Sequence, residues 1–292
     1  MLLSTEPNRP VPVPMWHGRP MAPDGGLQGK VAVVTRASRG IGKQVALLLA
    51  RRRARVVLAA RTVEPRAGTP GTLGDTAALV ARVGPEPVVV SADLGSQDGI
   101  DELVRVTLET AGGPDLLVNN AGYTVGRAIY LHPPELPREQ WDKVVALNVT
   151  APLMLMQGFW PSMCGRGGGR IINVSSDAAR PEELRTLDDK GTGMPPIGPA
   201  YGATKAALNR VTNSVANDGY EHNIAVIALE LGVTMTETME LTQRQTGTVN
   251  PDLTPTSASA AAIEYLCVCD DPMRYTGQAL RWAEVMSMLE PT

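Results

Sequence analysis

Short apolar runs alternate with amphipathic stretches from residue 30 onward, and that alternation sets the fold class. Residues 31–35, 56–60, 88–91, 116–118, 170–174, 224–229 and 278–282 are short runs rich in Val, Ile, Leu and Ala, as expected of strands buried on both faces. Helical candidates lie between them, among them 41–53, 141–148, 150–163 and 200–219. Strands and helices in alternation predict an α/β fold, a three-layer doubly wound parallel sheet. No internal repeat interrupts the scheme.

The first 28 residues break this pattern. Pro7, Pro10, Pro12, Pro14, Pro20 and Pro23 forbid a helix there, so residues 1–28 are expected to form a proline-rich extended arm and 29–292 a single domain. Trp16 and His17 are candidates for anchoring the arm; the plainer alternative is a mobile tail. With 292 residues and 43% hydrophobic content the chain can bury a full core.

Charge and cysteine usage narrow the function classes. The formal charge is -3 and the 27 basic residues are dispersed, which gives no field for nucleic acid. Cys164, Cys267 and Cys269 make no disulfide framework, and the Cys-Val-Cys pair lacks companions for zinc, so no metal is expected. The chain opens without an apolar leader, and no run of about 18 uninterrupted apolar residues follows. The expectation is a cytoplasmic protein with no membrane partner.

The candidate chemistry lies in three places. A turn carrying Thr35, Arg36, Ser38, Arg39, Gly40, Ile41 and Gly42 sits between the first strand and the first helix. Free backbone N–H groups and the helix dipole make such a turn a seat for phosphate. Tyr201 and Lys205 are one helical turn apart, so the ammonium can stand near the phenol and favour its ionised form. Ser175 and Ser176 end a predicted strand between the two motifs.

In this order the motifs resemble the short-chain dehydrogenase/reductase family over about residues 30–281. Asp93-Leu94, Asn119-Asn120-Ala121-Gly122, Asn148, Gly232 with Thr236, and Thr276-Gly277-Gln278 add to the match. The resemblance implies a Rossmann fold of about seven strands and an oxidoreductase that interconverts an alcohol and a carbonyl. By the same resemblance Tyr201 is the general acid/base, Ser176 holds the substrate oxygen, and Lys205 lowers the Tyr201 pKa and binds the nicotinamide ribose. Asn148 would hold a water linking Lys205 to solvent. Ser175 takes the role of Ser176 if the register slips by one.

Arg39 and Arg61, with no carboxylate at the end of the second strand, resemble the NADP-preferring pattern. NADP(H) is therefore favoured over NAD(H). Asp93 and Leu94 are expected to flank the adenine, Asn120, Ala121 and Gly122 to line the middle of the cofactor, and Thr234 and Thr236 to reach the carboxamide. Arg36 departs from the family by standing where the first glycine of the turn belongs, and is expected to reach a 2'-phosphate beside Arg39 and Arg61 if its backbone adopts the family turn. Leu231 replaces a usual proline, with Glu230 before it.

The loop 177–200 is longer than the family needs and must border the active-site mouth, as a lid, a subunit contact or a plain insertion. A second long stretch surrounds His132. The segment 59–77 is similar to hydroxysteroid-dehydrogenase-like and citronellol-dehydrogenase-like members, which with Met194, Met235 and Met239 points to an apolar alcohol or carbonyl. Helices 150–163 and 200–219 resemble subunit interfaces of the family, implying a homodimer or homotetramer. A dinucleotide-binding sensor without turnover is the competing class, motivated by Arg36 and Leu231.

Overall fold

The computed structural model describes residues 15–16, 19–20, 26–64, 71–123, 131, 133–181, 198–237, 239–240, 243 and 253–289. His17, His132, Met194 and most of the 177–200 loop lie outside them. Within the proline-rich arm, Met15–Trp16 pairs antiparallel with Arg19–Pro20.

Seven parallel strands make the central sheet: β1 (Val31–Thr35), β2 (Arg55–Ala60), β3 (Val88–Ser91), β4 (Leu116–Asn119), β5 (Gly169–Ser176), β6 (Ile224–Leu231) and β7 (Ala279–Arg281). Their order is β7-β6-β5-β4-β1-β2-β3. The winding reverses between β1 and β4, so the crevice for a ligand opens above the C-terminal ends of those two strands.

Eight helices complete the described frame: α1 (Gly40–Arg51), α2 (Leu73–Ala81), α3 (Gln97–Ala111), α4 (Arg138–Val145), α5 (Ala151–Gly165), α6 (Pro199–Tyr220), α7 (Thr256–Val268) and α8 (Trp282–Leu289). Side chains alternate across a strand, and β1 divides its residues accordingly. Ala32 and Val34 join one core with Leu49, Val80, Ile263 and Val285. Val31 and Val33 join the other with Leu103, Leu155, Phe159 and Ala216. With both faces covered, every residue of β1 is buried.

Two helix boundaries differ from the periodic expectation. The helix expected over 41–53 stops at Arg51 because Arg53 turns left-handed, φ 69°. The helices expected at 141–148 and 150–163 are one continuous run, Arg138–Gly165, joined through a π turn at Ala146–Thr150. This run is long and apolar enough to cross a bilayer by length and composition alone, one 18-residue window having a mean hydropathy of 1.2, yet polar residues such as Gln157 and Ser162 interrupt it, in keeping with the expectation of no uninterrupted apolar span. Its contacts with α3, β5 and α6 account for part of that apolar surface, 39% of the window being buried.

Candidate active site

The turn after β1 holds a left-handed residue where the resemblance expects a glycine. Arg36 sits at φ 53°, a left-handed backbone that costs an ordinary residue about 1–2 kcal/mol. Gly42 is required by close packing, since a Cβ there would stand 2.5 Å from the Arg36 carbonyl oxygen and 2.6 Å from Asn120 Nδ2. Helix α1 therefore starts pressed against the turn, and its N-terminal N–H groups face the crevice.

Thr35 and Asn120 hold that crevice open by bonding to each other. Thr35 Oγ1 donates to the Val118 carbonyl at 3.2 Å and accepts from the N–H groups of Asn120 and Ala121 at 2.9 and 2.8 Å. Asn120 Nδ2 donates to the Thr35 carbonyl at 3.0 Å. These contacts tie the end of β1 to the end of β4. Ser38 is buried under the turn, and Ile41 packs against the core below α1.

Two cations stand beyond β2. Arg39 Nη2 donates to Thr62 Oγ1 at 2.8 Å, and Arg61 lies 3.9 Å from the Asp93 carboxylate, both of that pair well exposed. Burial lowers the Arg39 pKa, Glu237 opposes that shift and Arg61 adds to it. Leu94 is buried beside Asp93. This corner favours an anion.

Arg36 faces another part of the crevice. Its Nη1 donates to the Gly122 carbonyl at 3.2 Å, beyond β4 rather than beyond β2. Burial lowers its pKa first, Arg39 follows, and Tyr201 acts in the opposite sense. Arg39, Tyr201 and Arg61 all act on the guanidinium, so it lies within electrostatic reach of the Tyr201 side and of the Arg39 and Arg61 corner alike.

The other half of the site is built by β5, the π turn and α6. Ser175 and Ser176 are the last residues of β5. Ser175 Oγ faces the Lys205 carbonyl at 3.5 Å, whereas Ser176 Oγ donates to Asp177 Oδ1 at 3.0 Å and accepts from the Ala178 N–H at 3.2 Å. Lys205 is buried, donates to the Val174 carbonyl at 2.8 Å and lies 5.8 Å from the centre of the Tyr201 ring. Burial, with Arg36 second, lowers its pKa to about 8.

Asn148 lies fully buried in the π turn. Its Oδ1 accepts from the Tyr123 N–H at 2.7 Å, and its Nδ2 donates to Thr204 Oγ1 at 3.0 Å. Both ends of the side chain are thus held by protein.

The loop after β6 is anchored at Thr234. Its hydroxyl is 3.0 Å from Ser259 Oγ and donates to the Gly232 carbonyl at 3.2 Å, which fastens the loop to α7. Thr236 meets α1: its Cγ2 is 3.2 Å from the place of a Cβ on Gly40. Sequence reasoning missed Glu237, whose Oε2 accepts from the Gly40 N–H at 2.8 Å. It also left Glu230 unassigned, which is buried at the end of β6 and accepts from Arg180 at 2.6 Å and Asn209 at 2.8 Å. Among the described residues no His, Cys, Asp and Glu cluster is placed to hold a metal.

A family model described as short chain dehydrogenase matches residues 30–247. The chain belongs to that family. An oxidoreductase of Thermotoga maritima is 31% identical to this short-chain dehydrogenase over 78% of the chain and 79% of its own length. Sorbitol dehydrogenase of Cereibacter sphaeroides is 34% identical over 71% of each. Among solved structures, L-sorbose reductase of Gluconobacter frateurii, complexed with NADPH and L-sorbose, is similar with a TM-score of 0.74 and 27% identity. That match covers 88% of this chain and 96% of the other. A metagenomic short-chain oxidoreductase in complex with NADP matches with a TM-score of 0.67 and 30% identity, covering 88% and 99%.

This short-chain dehydrogenase is accordingly an NAD(P)-dependent oxidoreductase acting on CH–OH groups.

Proposed function

We propose that the protein interconverts a secondary alcohol and a ketone with NADP(H), using Tyr201 as general acid/base. The observation that carries this reading is the buried Lys205, 5.8 Å from the Tyr201 ring and one turn further along α6, opposite Ser176 at the end of β5. A ketone that accepts a hydride becomes an alkoxide and needs a proton and a hydrogen-bond donor as charge develops. Tyr201 supplies the proton; Ser176 orients the oxygen. Lys205, with a pKa lowered to about 8, remains largely an ammonium at neutral pH and favours the phenolate.

A bound dinucleotide supplies or accepts the hydride. The residues here fit one: the N-terminus of α1 with Gly40 would hold the pyrophosphate, Asp93 and Leu94 would border the adenine, and Ala121 and Gly122, which follow β4, would line the middle of the cofactor. Arg39 and Arg61 supply the charge that a 2'-phosphate needs. The NADPH and NADP complexes of two similar structures support the same preference.

A polyhydroxylated substrate is favoured over the apolar one expected from segment 59–77. Asp177 places an exposed acceptor carboxylate against Ser176, where a second substrate hydroxyl can donate. The sugar and sugar-alcohol relatives support it. The test is NADPH oxidation with matched panels of ketoses and alkyl ketones: higher kcat/KM on ketoses is expected, and a preference for alkyl ketones restores the apolar reading.

We also propose a homodimer or homotetramer. Leu153, Met154, Trp160 and Val215 line a groove between α5 and α6, with Gln157 and Asp218 at its edge. A second copy of these helices would cover it.

A further inference from the structure

We propose that the Glu237 carboxylate is an internal competitor for the cofactor's pyrophosphate, seated on the N-terminus of α1 and displaced when a dinucleotide binds. The inference rests on the dinucleotide reading above and adds a residue that sets the affinity.

Helix α1 begins without its own anionic support: its first turn holds no acidic residue, and its N-cap, Arg39, makes no side-chain capping bond. The anion comes from 197 positions away. Glu237 Oε2 accepts from the Gly40 N–H at 2.8 Å, and Oε1 lies 3.3 Å from Lys43 Nζ. The same carboxylate raises the Arg39 pKa against the effect of burial. One side chain therefore engages the backbone donor and both neighbouring cations that a phosphate at this helix end requires.

The approach of Glu237 is sterically specified. Gly40, at φ 55°, leaves only enough room for Thr236 Cγ2, 3.2 Å from where a Cβ would project. Thr234, two residues before, is bonded to Ser259 in α7 at 3.0 Å. The loop is thus fixed at Thr234 while its Glu237 end reaches the crevice. A carboxylate and a diphosphate cannot share the Gly40 N–H at hydrogen-bond distance, because like charges so close repel and each needs the same donor. Apparent affinity is then reduced by the fraction of molecules in which the carboxylate has left.

The test is calorimetric titration of wild type, Glu237→Gln and Glu237→Ala with NADPH, and separately with inorganic pyrophosphate. Both variants are expected to bind NADPH and pyrophosphate about tenfold more tightly than wild type, as loss of one charge-assisted contact implies. NADPH affinity that is unchanged or weaker in both variants overturns the proposal while leaving the dinucleotide reading intact. Failure of all three proteins to bind NADPH overturns the dinucleotide reading instead. Pyrophosphate then decides: tighter binding in the variants sustains the competition at α1, and equal binding rejects it.

Discussion

Asn148 Nδ2 donates to Thr204 Oγ1 at 3.0 Å, and this contact ties the π turn of the long Arg138–Gly165 helix to the turn of α6 between Tyr201 and Lys205. The other end of the amide holds the Tyr123 N–H at 2.7 Å, so one buried side chain joins the segment after β4, the π turn and α6. In the proposed mechanism, a residue with this placement would position Tyr201 and Lys205 through their backbone.

Asn148→Ala leaves the Tyr123 N–H without this acceptor and removes the donor to Thr204 Oγ1, whose own hydrogen stays bonded within α6. The expected loss of stability is about 1–3 kcal/mol, with kcat falling more than KM changes because α6 is no longer held in register. Thermal melts and steady-state kinetics check both. Full activity in a destabilised variant would reduce Asn148 to a packing role.

Arg36→Gly relieves the left-handed backbone at φ 53° and removes a cation that lowers the Lys205 pKa. The sign follows: without the guanidinium the Lys205 pKa rises from about 8, so the basic limb of the pH-rate profile moves to higher pH. Because the Arg36 guanidinium is already engaged by the Gly122 carbonyl, the ratio of NADPH to NADH affinity should stay within about threefold of wild type, a difference below 1 kcal/mol. Selective weakening of NADPH would return Arg36 to the 2'-phosphate.

Lys205→Met separates stability from function. A lysine whose folded pKa, about 8, lies below its unfolded value opposes folding fully below pH 8. The folded state releases its proton first, so that cost fades as pH rises from 8 toward the unfolded pKa. Methionine removes the buried charge but leaves the Val174 carbonyl without its donor. The net expectation is a gain of about 1–2 kcal/mol at pH 7, with turnover lost. A melt showing marked destabilisation would mean that the Val174 contact outweighs the buried charge.

The alternation of strands and helices makes the sheet legible in the sequence itself. β1 was bounded correctly because its five residues are buried on both faces and the motif turn ends it. Phase was harder to read. A π turn shifts the helical repeat, so the run through Asn148 looked like two helices. The left-handed Arg36 was legible from the glycine it replaces, yet the direction of its side chain was not. Thr234 matches the family by its loop position, but the partner of its hydroxyl, Ser259, lies 25 positions further along and is invisible to local pattern. Glu237 and Gly40 are 197 positions apart, and only the fold brings them together.

The central claim is proton transfer by Tyr201, and Tyr201→Phe tests it most directly because the ring and its packing against the Lys205 side remain while the hydroxyl is lost. Turnover of wild type and variant should be measured on the same ketone alongside NADPH affinity. The account predicts a kcat at least about 100-fold lower, the usual scale of a positioned acid/base, with NADPH affinity within about threefold of wild type. Turnover within about threefold of wild type, less than 1 kcal/mol in the barrier, would contradict it.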